Sequence, residues 1–229
     1  MPTVLRTLLP TTSPVTDARP RPARQAIAAF AIALVAGSSA SAELIAAWNF
    51  NAWNPETDFT VAADHGSGLI DLTAVSGALS AFAGTATNAF GGDSAGSALS
   101  IVGQAQNGRA IHLSAATGAA ERLTLSFACR RTDSGFTDNR VEAWVAGDWI
   151  EVGSFAGGAD WPVHTFEFDA PTQLFGGVTE LRITIGGATS ATGNIRFDTL
   201  RLESRSVPAP GALALLGLGA TVARSRRRR

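Results

Sequence analysis

The sequence contains no lysine and no tyrosine, and it has one cysteine, one methionine and three histidines. The lone Cys129 excludes an intramolecular disulfide, so stability has to come from a packed core and not from cross-links. It alternates with Leu123, Leu125 and Phe127, which predicts a buried, inert thiol. His65, His112 and His164 are scattered, with neither a paired histidine spacing nor a second cysteine, and this excludes a transition-metal ligand set. All 18 basic side chains are arginine, a bias that fits a GC-rich coding sequence better than a functional demand.

The charge is unevenly distributed. The whole chain is formally −1, but residues 43–206 hold nine arginines and 18 acids, which leaves −9 on that segment. A surface of that sign lacks the basic footprint that phosphate backbones require, so no nucleic acid is expected as a partner.

Both ends read as addresses. Residues 1–25 carry Arg6, Arg19, Arg21 and Arg24 against one acid, and an apolar run follows at 26–36. Ala40-Ser41-Ala42 then supplies the small-x-small pattern of a signal peptidase site, with cleavage expected before Glu43 and 1–42 as signal peptide. The arginines alternate with Pro20 and Pro22 and do not form a twin pair, which favours the general secretion route. At the other end Val207-Pro208-Ala209-Pro210-Gly211 breaks the chain, an apolar stretch covers 212–223, and Arg224, Arg226, Arg227, Arg228 and Arg229 close it. As a helix, that stretch would reach roughly 18 Å against a hydrocarbon core of about 30 Å. It is too short for a comfortable permanent span, while the arginine cluster would hold the tail on the cytoplasmic side as a membrane stop.

This tail resembles the PEP-CTERM sorting signal of Gram-negative bacteria, with Ala209 where the motif has glutamate. The resemblance implies an exosortase that recognises residues 207–211 and removes the tail at the inner membrane. The implied course is export across that membrane as an anchored precursor, followed by a mature form at the cell surface or outside the cell. Signal peptidase and an exosortase are the processing partners this implies.

Between the two addresses lie 164 residues, enough for one domain with its own core. Leu123, Leu125, Phe127 and Cys129 share one face against Arg122, Thr124, Ser126 and Arg130. Leu181, Ile183 and Ile185 alternate with Arg182 and Thr184, and Phe166 and Phe168 with Thr165 and Glu167. A period of two with one polar face predicts antiparallel strands. Further strands are expected at 45–50, 98–102, 109–113, 140–145, 149–155 and 194–202. Asn107-Gly108, Ser134-Gly135, Gly147-Asp148 and Gly157-Gly158 are the turns between them. Nine or so short strands without intervening helices predict an all-β, antiparallel, two-sheet sandwich of jelly-roll type over 43–206. In the last strand the apolar spacing slips between Phe197 and Leu200, which predicts a bulge at Asp198 and Thr199.

The body also looks like the exported sandwich domains that precede such tails. The similarity rests on Leu44-Ile45-Ala46-Ala47-Trp48-Asn49-Phe50-Asn51, Gly96-Ser97-Ala98-Leu99-Ser100, Leu123-Thr124-Leu125-Ser126-Phe127 and Gly193-Asn194-Ile195-Arg196-Phe197-Asp198. It implies a fold and a destination but no assigned activity.

Four features bear on function. Gly92-Asp93-Ser94-Ala95-Gly96 matches the Gly-x-Ser-x-Gly pattern of serine hydrolases, with His164 and Asp148 or Asp160 as the other triad members. That motif needs a strand before the serine and a helix after it, and here a strand is expected to follow, so the chain is read as non-enzymatic. Asp64-His65-Gly66-Ser67-Gly68 is read as a turn. Asp198, beside the expected bulge, is the candidate ligand for a structural calcium, the one cofactor retained. Finally, Trp144 falls on the polar side of its strand with Glu142, and with Trp149 and Trp161 it is the candidate stack for a sugar ring. The expected function is therefore a non-catalytic cell-surface or extracellular-matrix protein. A lectin-like carbohydrate-binding module, with exopolysaccharide as ligand, is the alternative, and a hydrolase at Ser94 the remote one.

Overall fold

The computed structural model describes residues 42–118, 120, 122–169 and 177–205. The residues expected to form a signal peptide, through Ser41 and including Ala40, and those expected to form a sorting motif and arginine cluster, Val207 to Arg229, lie outside the described residues. No helix among the described residues is long and apolar enough to cross a membrane.

Among the described residues thirteen strands build the domain. They are β1 (Ala42–Trp48), β2 (Thr60–Ala62), β3 (His65–Gly66), β4 (Gly68–Asp71), β5 (Leu79–Ala83), β6 (Ser97–Val102) and β7 (Ala110–Ala116). After these come β8 (Arg122–Arg131), β9 (Asn139–Val145), β10 (Asp148–Phe155), β11 (Val163–Asp169), β12 (Val178–Thr184) and β13 (Asn194–Arg205). One sheet runs β11-β8-β13-β1-β3, with β6 beside β13 and β5 beside β6; the other runs β10-β9-β12-β7-β4-β2. The strand-to-strand ladders in both are antiparallel. The all-β two-sheet sandwich expected from alternation is the observed architecture.

The core forms where the apolar halves of the strands meet. Leu123, Leu125, Phe127 and Cys129 from β8 are fully buried against Ile111, Leu113, Leu181 and Ile183 of the facing sheet. Phe127 is the hub of an aromatic cluster, with Phe155 at 5.0 Å and Phe197 at 5.6 Å in edge-on geometry, arrangements that add to plain area burial. Cys129 is enclosed here, buried as its alternation predicts, and burial pushes its thiol far up.

Three expectations need correction. Nine strands were expected and thirteen are present, because β2, β3, β4 and β5 are two to five residues long and carry too few alternations to register in sequence. His65 and Gly66, read as a turn, form β3 and pair with β1. Nor does the seven-stranded sheet have one uniformly wet face. Ser126, Ala128, Ser100 and Asp198 lie on its outer side yet are buried. The segment 84–96 accounts for part of this: Asn88 binds Ser126 Oγ and the Thr199 carbonyl, and Thr85 donates its amide to Asp198.

The expected bulge is present. The β13–β8 register shifts between Asp198 and Arg201, and Thr199 adopts φ +50°. Asp198 there is fully buried, with its two carboxylate oxygens accepting from the amides of Thr85 (2.6 Å) and Thr199 (2.8 Å). Gly84 passes so close that a Cβ would overlap both the Asp198 carboxylate and the Ala95 carbonyl.

Candidate functional site

The outer face of the six-stranded sheet is the candidate site. Its construction starts at the β9–β10 hairpin, whose two-residue loop Ala146-Gly147 has positive φ at both positions (+53° and +98°), as the tight hairpin turn matching strand twist requires. That turn fixes the register so that Trp144 lies directly opposite Trp149. Val141 and Ala143 of β9 point into the core, so Glu142 and Trp144 point outward by alternation.

Across the sheet the register continues this face. Glu142 of β9 pairs with Arg182 of β12, Arg182 with His112 of β7, and His112 with Asp71 of β4. The side chains interlock. Arg182 donates to both Glu142 oxygens at 2.7 and 2.8 Å in a fork geometry, and Thr184 donates its hydroxyl to Glu142 at 2.6 Å. The Arg182 guanidinium lies 4.5 Å from the centre of the Trp149 ring. Trp149 in turn meets Trp144 edge-on at 5.2 Å and His112 at 5.5 Å. One indole is thus held by a cation beneath it, an aromatic beside it and an imidazole at its edge, while staying half-exposed.

Beyond His112 the face opens into a groove. A depression of about 450 Å³ is lined by Thr60, Asp71, His112, Ser114 and Glu180. It shares Leu69 and Ser114 with a second of about 490 Å³ that reaches Gly66, Ser67 and Gly68. Leu69, 47% exposed, is a bare apolar side chain on this floor. The lining mixes hydroxyls, carboxylates and apolar surface, which is the make-up of a site that grips a polar ring molecule by stacking and hydrogen bonding.

The charges are settled. Glu142 is held below the usual carboxylate range, chiefly by the Arg182 hydrogen bonds, against the opposing effect of burial and with help from Thr184. The Asp71 carboxyl is lowered by its hydrogen bonds to Thr73. Both are anions at neutral pH.

The remaining sequence candidates are elsewhere. Trp161 precedes β11 of the seven-stranded sheet and takes part in none of the ring contacts among the described residues, so it does not join Trp144 and Trp149. The three-tryptophan stack divides into a pair and a single residue because β10 and β11 belong to different sheets. Trp48 and Trp53 are buried and plug the core. Ser94 lies in a loop followed directly by β6, and its carbonyl is bound by Asn51. Its hydroxyl makes no hydrogen bond among the described residues. The histidine of this loop's surroundings, His65, binds Asp93 at 3.0 Å, and His164, half-buried, packs against Phe127 and Phe155. Among the described residues no Ser-His-Asp triad is assembled. Ala42 and Glu43, the residues flanking the expected cleavage point, begin β1 opposite Arg205 and Ser204.

Sequence reasoning placed Trp144 outward but missed Arg182, His112 and Asp71 as its neighbours. The signal available was the outward parity of Arg182 between Leu181 and Ile183; what was absent was strand order, which only the fold supplies.

No family model and no curated protein matches the chain. Among solved structures, the N-terminal tandem of two CBM22 modules from Paenibacillus barcinonensis Xyn10C is similar at TM-score 0.45 and 11% identity, covering 76% of this chain and 49% of that one. The CBM1 of BiXyn10A is similar at 0.38 and 14%, covering 72% and 99%. TmCBM61, solved with β-1,4-galactotriose, is similar at 0.37 and 10%, covering 57% and 83%. This chain therefore spans about half the length of the first of these. At such scores and identities the architecture rests on the strand pairings and the function on the side chains described above.

Proposed function

We propose that the domain is a non-catalytic carbohydrate-binding module of an exported protein, with the outer face of the six-stranded sheet as its glycan platform. The observation that carries this is Trp149, pinned by Arg182, Trp144 and His112 at the head of an open groove. A fixed indole offers a flat apolar surface with little conformational entropy left to lose on binding. Asp71, Glu180, Ser114 and Thr60 then supply acceptors and hydroxyls for the ring's own hydroxyl groups. The open groove suits an extended chain such as an exopolysaccharide more than an enclosed monosaccharide. Binding measured by affinity electrophoresis in neutral polysaccharide gels is expected to retard the wild type. Trp149→Ala is expected to lose about 2 kcal/mol, roughly 30-fold, as a central aromatic anchor does. Unaltered retardation in that variant would remove the platform from this face.

The same reading has the protein exported by way of residues 1–42 and sorted by way of 207–229, with signal peptidase and an exosortase as processing partners and the inner membrane as a temporary station. Its support is the resemblance of the tail to PEP-CTERM signals. Mass spectrometry of the mature protein from the native host is expected to find a new N-terminus at Glu43 and a C-terminus near residues 207–211. A retained Arg229 would end the exosortase part of the proposal and leave the glycan platform standing.

Calcium at Asp198 belongs to the proposal only as a structural ion. The donor set fits a cation poorly: each carboxylate oxygen already accepts an amide hydrogen, and no group of three or more His, Cys, Asp or Glu side chains that could hold a metal occurs among the described residues.

A further inference from the structure

The outer face of the seven-stranded sheet carries an arrangement that stability does not explain. The register sets Arg130 of β8 directly opposite Arg196 of β13, Arg196 opposite Ser100 of β6, and Ser100 opposite Ser80 of β5, in one row across four strands. Two arginines facing each other across neighbouring strands have Cβ atoms about 5 Å apart, a juxtaposition that destabilises a sheet. In a domain with twice as many acids as arginines, a carboxylate beside them would be easily provided. Yet neither side chain makes an ion pair or a hydrogen bond among the described residues, although Arg122, Arg182 and Arg201 each have an acid. Asp198, two residues along the same strand, is taken up by the amides of Thr85 and Thr199.

The two guanidiniums also differ in freedom. Arg130 is exposed. Arg196 reaches across β6 and lies 4.2 Å over the Phe82 ring of β5, which fixes its plane. In that position its Nε is buried without a partner, and so is the Ser100 hydroxyl, on a residue with no exposed surface. Buried donors left unmade cost free energy, and both lie on the same row as the unpaired charges. A pre-oriented guanidinium, a second exposed one and an unpartnered hydroxyl form the donor side of an oxyanion contact. Phe82, 40% exposed, leaves apolar surface next to it.

We infer that Arg130, Arg196 and Ser100 form a second ligand site that binds the carboxylate or sulfate of an acidic saccharide, with Phe82 against the sugar ring. It lies on the sheet opposite to the Trp149 platform and does not depend on it. The two sites together would let one domain hold a neutral stretch of glycan on one face and an acidic residue on the other.

Isothermal titration of the purified protein with oligogalacturonate, a sulfated dextran oligomer, neutral dextran oligomer and inorganic sulfate tests this. One or both of the acidic oligomers are expected to bind, with affinity falling as salt rises, and to bind at least tenfold more weakly to Arg130→Gln and to Arg196→Gln but equally well to Trp149→Ala. Tighter binding of one acidic oligomer identifies carboxylate or sulfate as the natural group. A stability readout accompanies it: without ligand, Arg130→Gln is expected to raise the melting temperature by removing like-charge repulsion. Binding of inorganic sulfate alone, equal binding by the arginine variants, loss of acidic-oligomer binding in Trp149→Ala, or a lowered melting temperature in Arg130→Gln would each overturn the assignment.

Discussion

Arg182→Met is expected to lower the stability of the domain by about 3 kcal/mol, the lower end of what breaking a buried ion pair costs. The lower end applies because the Arg182 side chain keeps 27% of its exposure while Glu142 keeps 8%. For a domain of this size that is roughly 6–12 °C in melting temperature. The cause is not the lost attraction but the anion left behind: Glu142 would retain only the Thr184 hydroxyl and the distant influence of Arg140. The pH dependence should change sign with it. In the wild type the lowered Glu142 pKa means its contribution is present above the ordinary glutamate value and is lost as pH falls through the folded one. Without Arg182, burial dominates and the pKa rises, so the variant should gain stability on acidification where the wild type loses it. Adding Glu142→Gln to Arg182→Met should recover much of the loss, since the neutral amide still accepts from Thr184. Urea unfolding of the two variants at several pH values reads all of this. A single variant within 0.5 kcal/mol of wild type would mean that the Trp149 support is not built on this pair.

Asp198 should make the domain less stable as pH rises from about 4 to about 7. Burial, outweighing the hydrogen bonds from the Thr85 and Thr199 amides, pushes its carboxyl up to about 7. Between the unfolded and folded values the native state holds a proton that the unfolded chain has released, so stability is fully present below pH 4, declines across the window and levels off above 7. A shift of that size corresponds to about 4 kcal/mol. His164 works in the opposite direction, because burial lowers its pKa, and the comparison of wild type with Asp198→Asn separates the two. The variant is expected to lose the declining slope. A structural calcium would reverse the result: the ion requires the charged carboxylate, stability would rise with pH, and a chelator would lower the melting temperature. A melting temperature indifferent to chelator together with a declining slope would retire calcium from this site.

The fold was largely legible where strands are long. The run from Leu123 to Cys129 alternates over enough residues to fix its inward face, and the slip between Phe197 and Leu200 marks the bulge at Asp198. Residues 60–83 were not legible as strands, because two- to five-residue strands held between partners draw their stability from those partners and not from their own pattern. The candidate site was half legible. Trp144 and Trp149 could be placed from alternation and a glycine turn, but Arg182 and His112 come from strands distant in sequence, and no local pattern encodes which strand lies beside which. Trp161 shares the pair's residue type but not its face, because the chain changes sheet after Phe155. The paired arginines at 130 and 196 had the same obstacle: each alone is an ordinary outward residue, and only register reveals that they confront each other.

The place of β13 has a consequence for how the chain acquires its shape. It is the last strand described, yet it lies inside its sheet, with β8 along one side and β6 then β1 along the other. A chain emerging N-terminus first from a ribosome therefore cannot close this sheet until about residue 205 is free, and β1, paired locally only with the two-residue β3, waits for its long ladder with a strand more than 150 residues downstream. Contacts of such sequence separation fold slowly. The order of the strands defers completion of the seven-stranded sheet until residues 194–205 are available, while the strands of the facing sheet already have their partners.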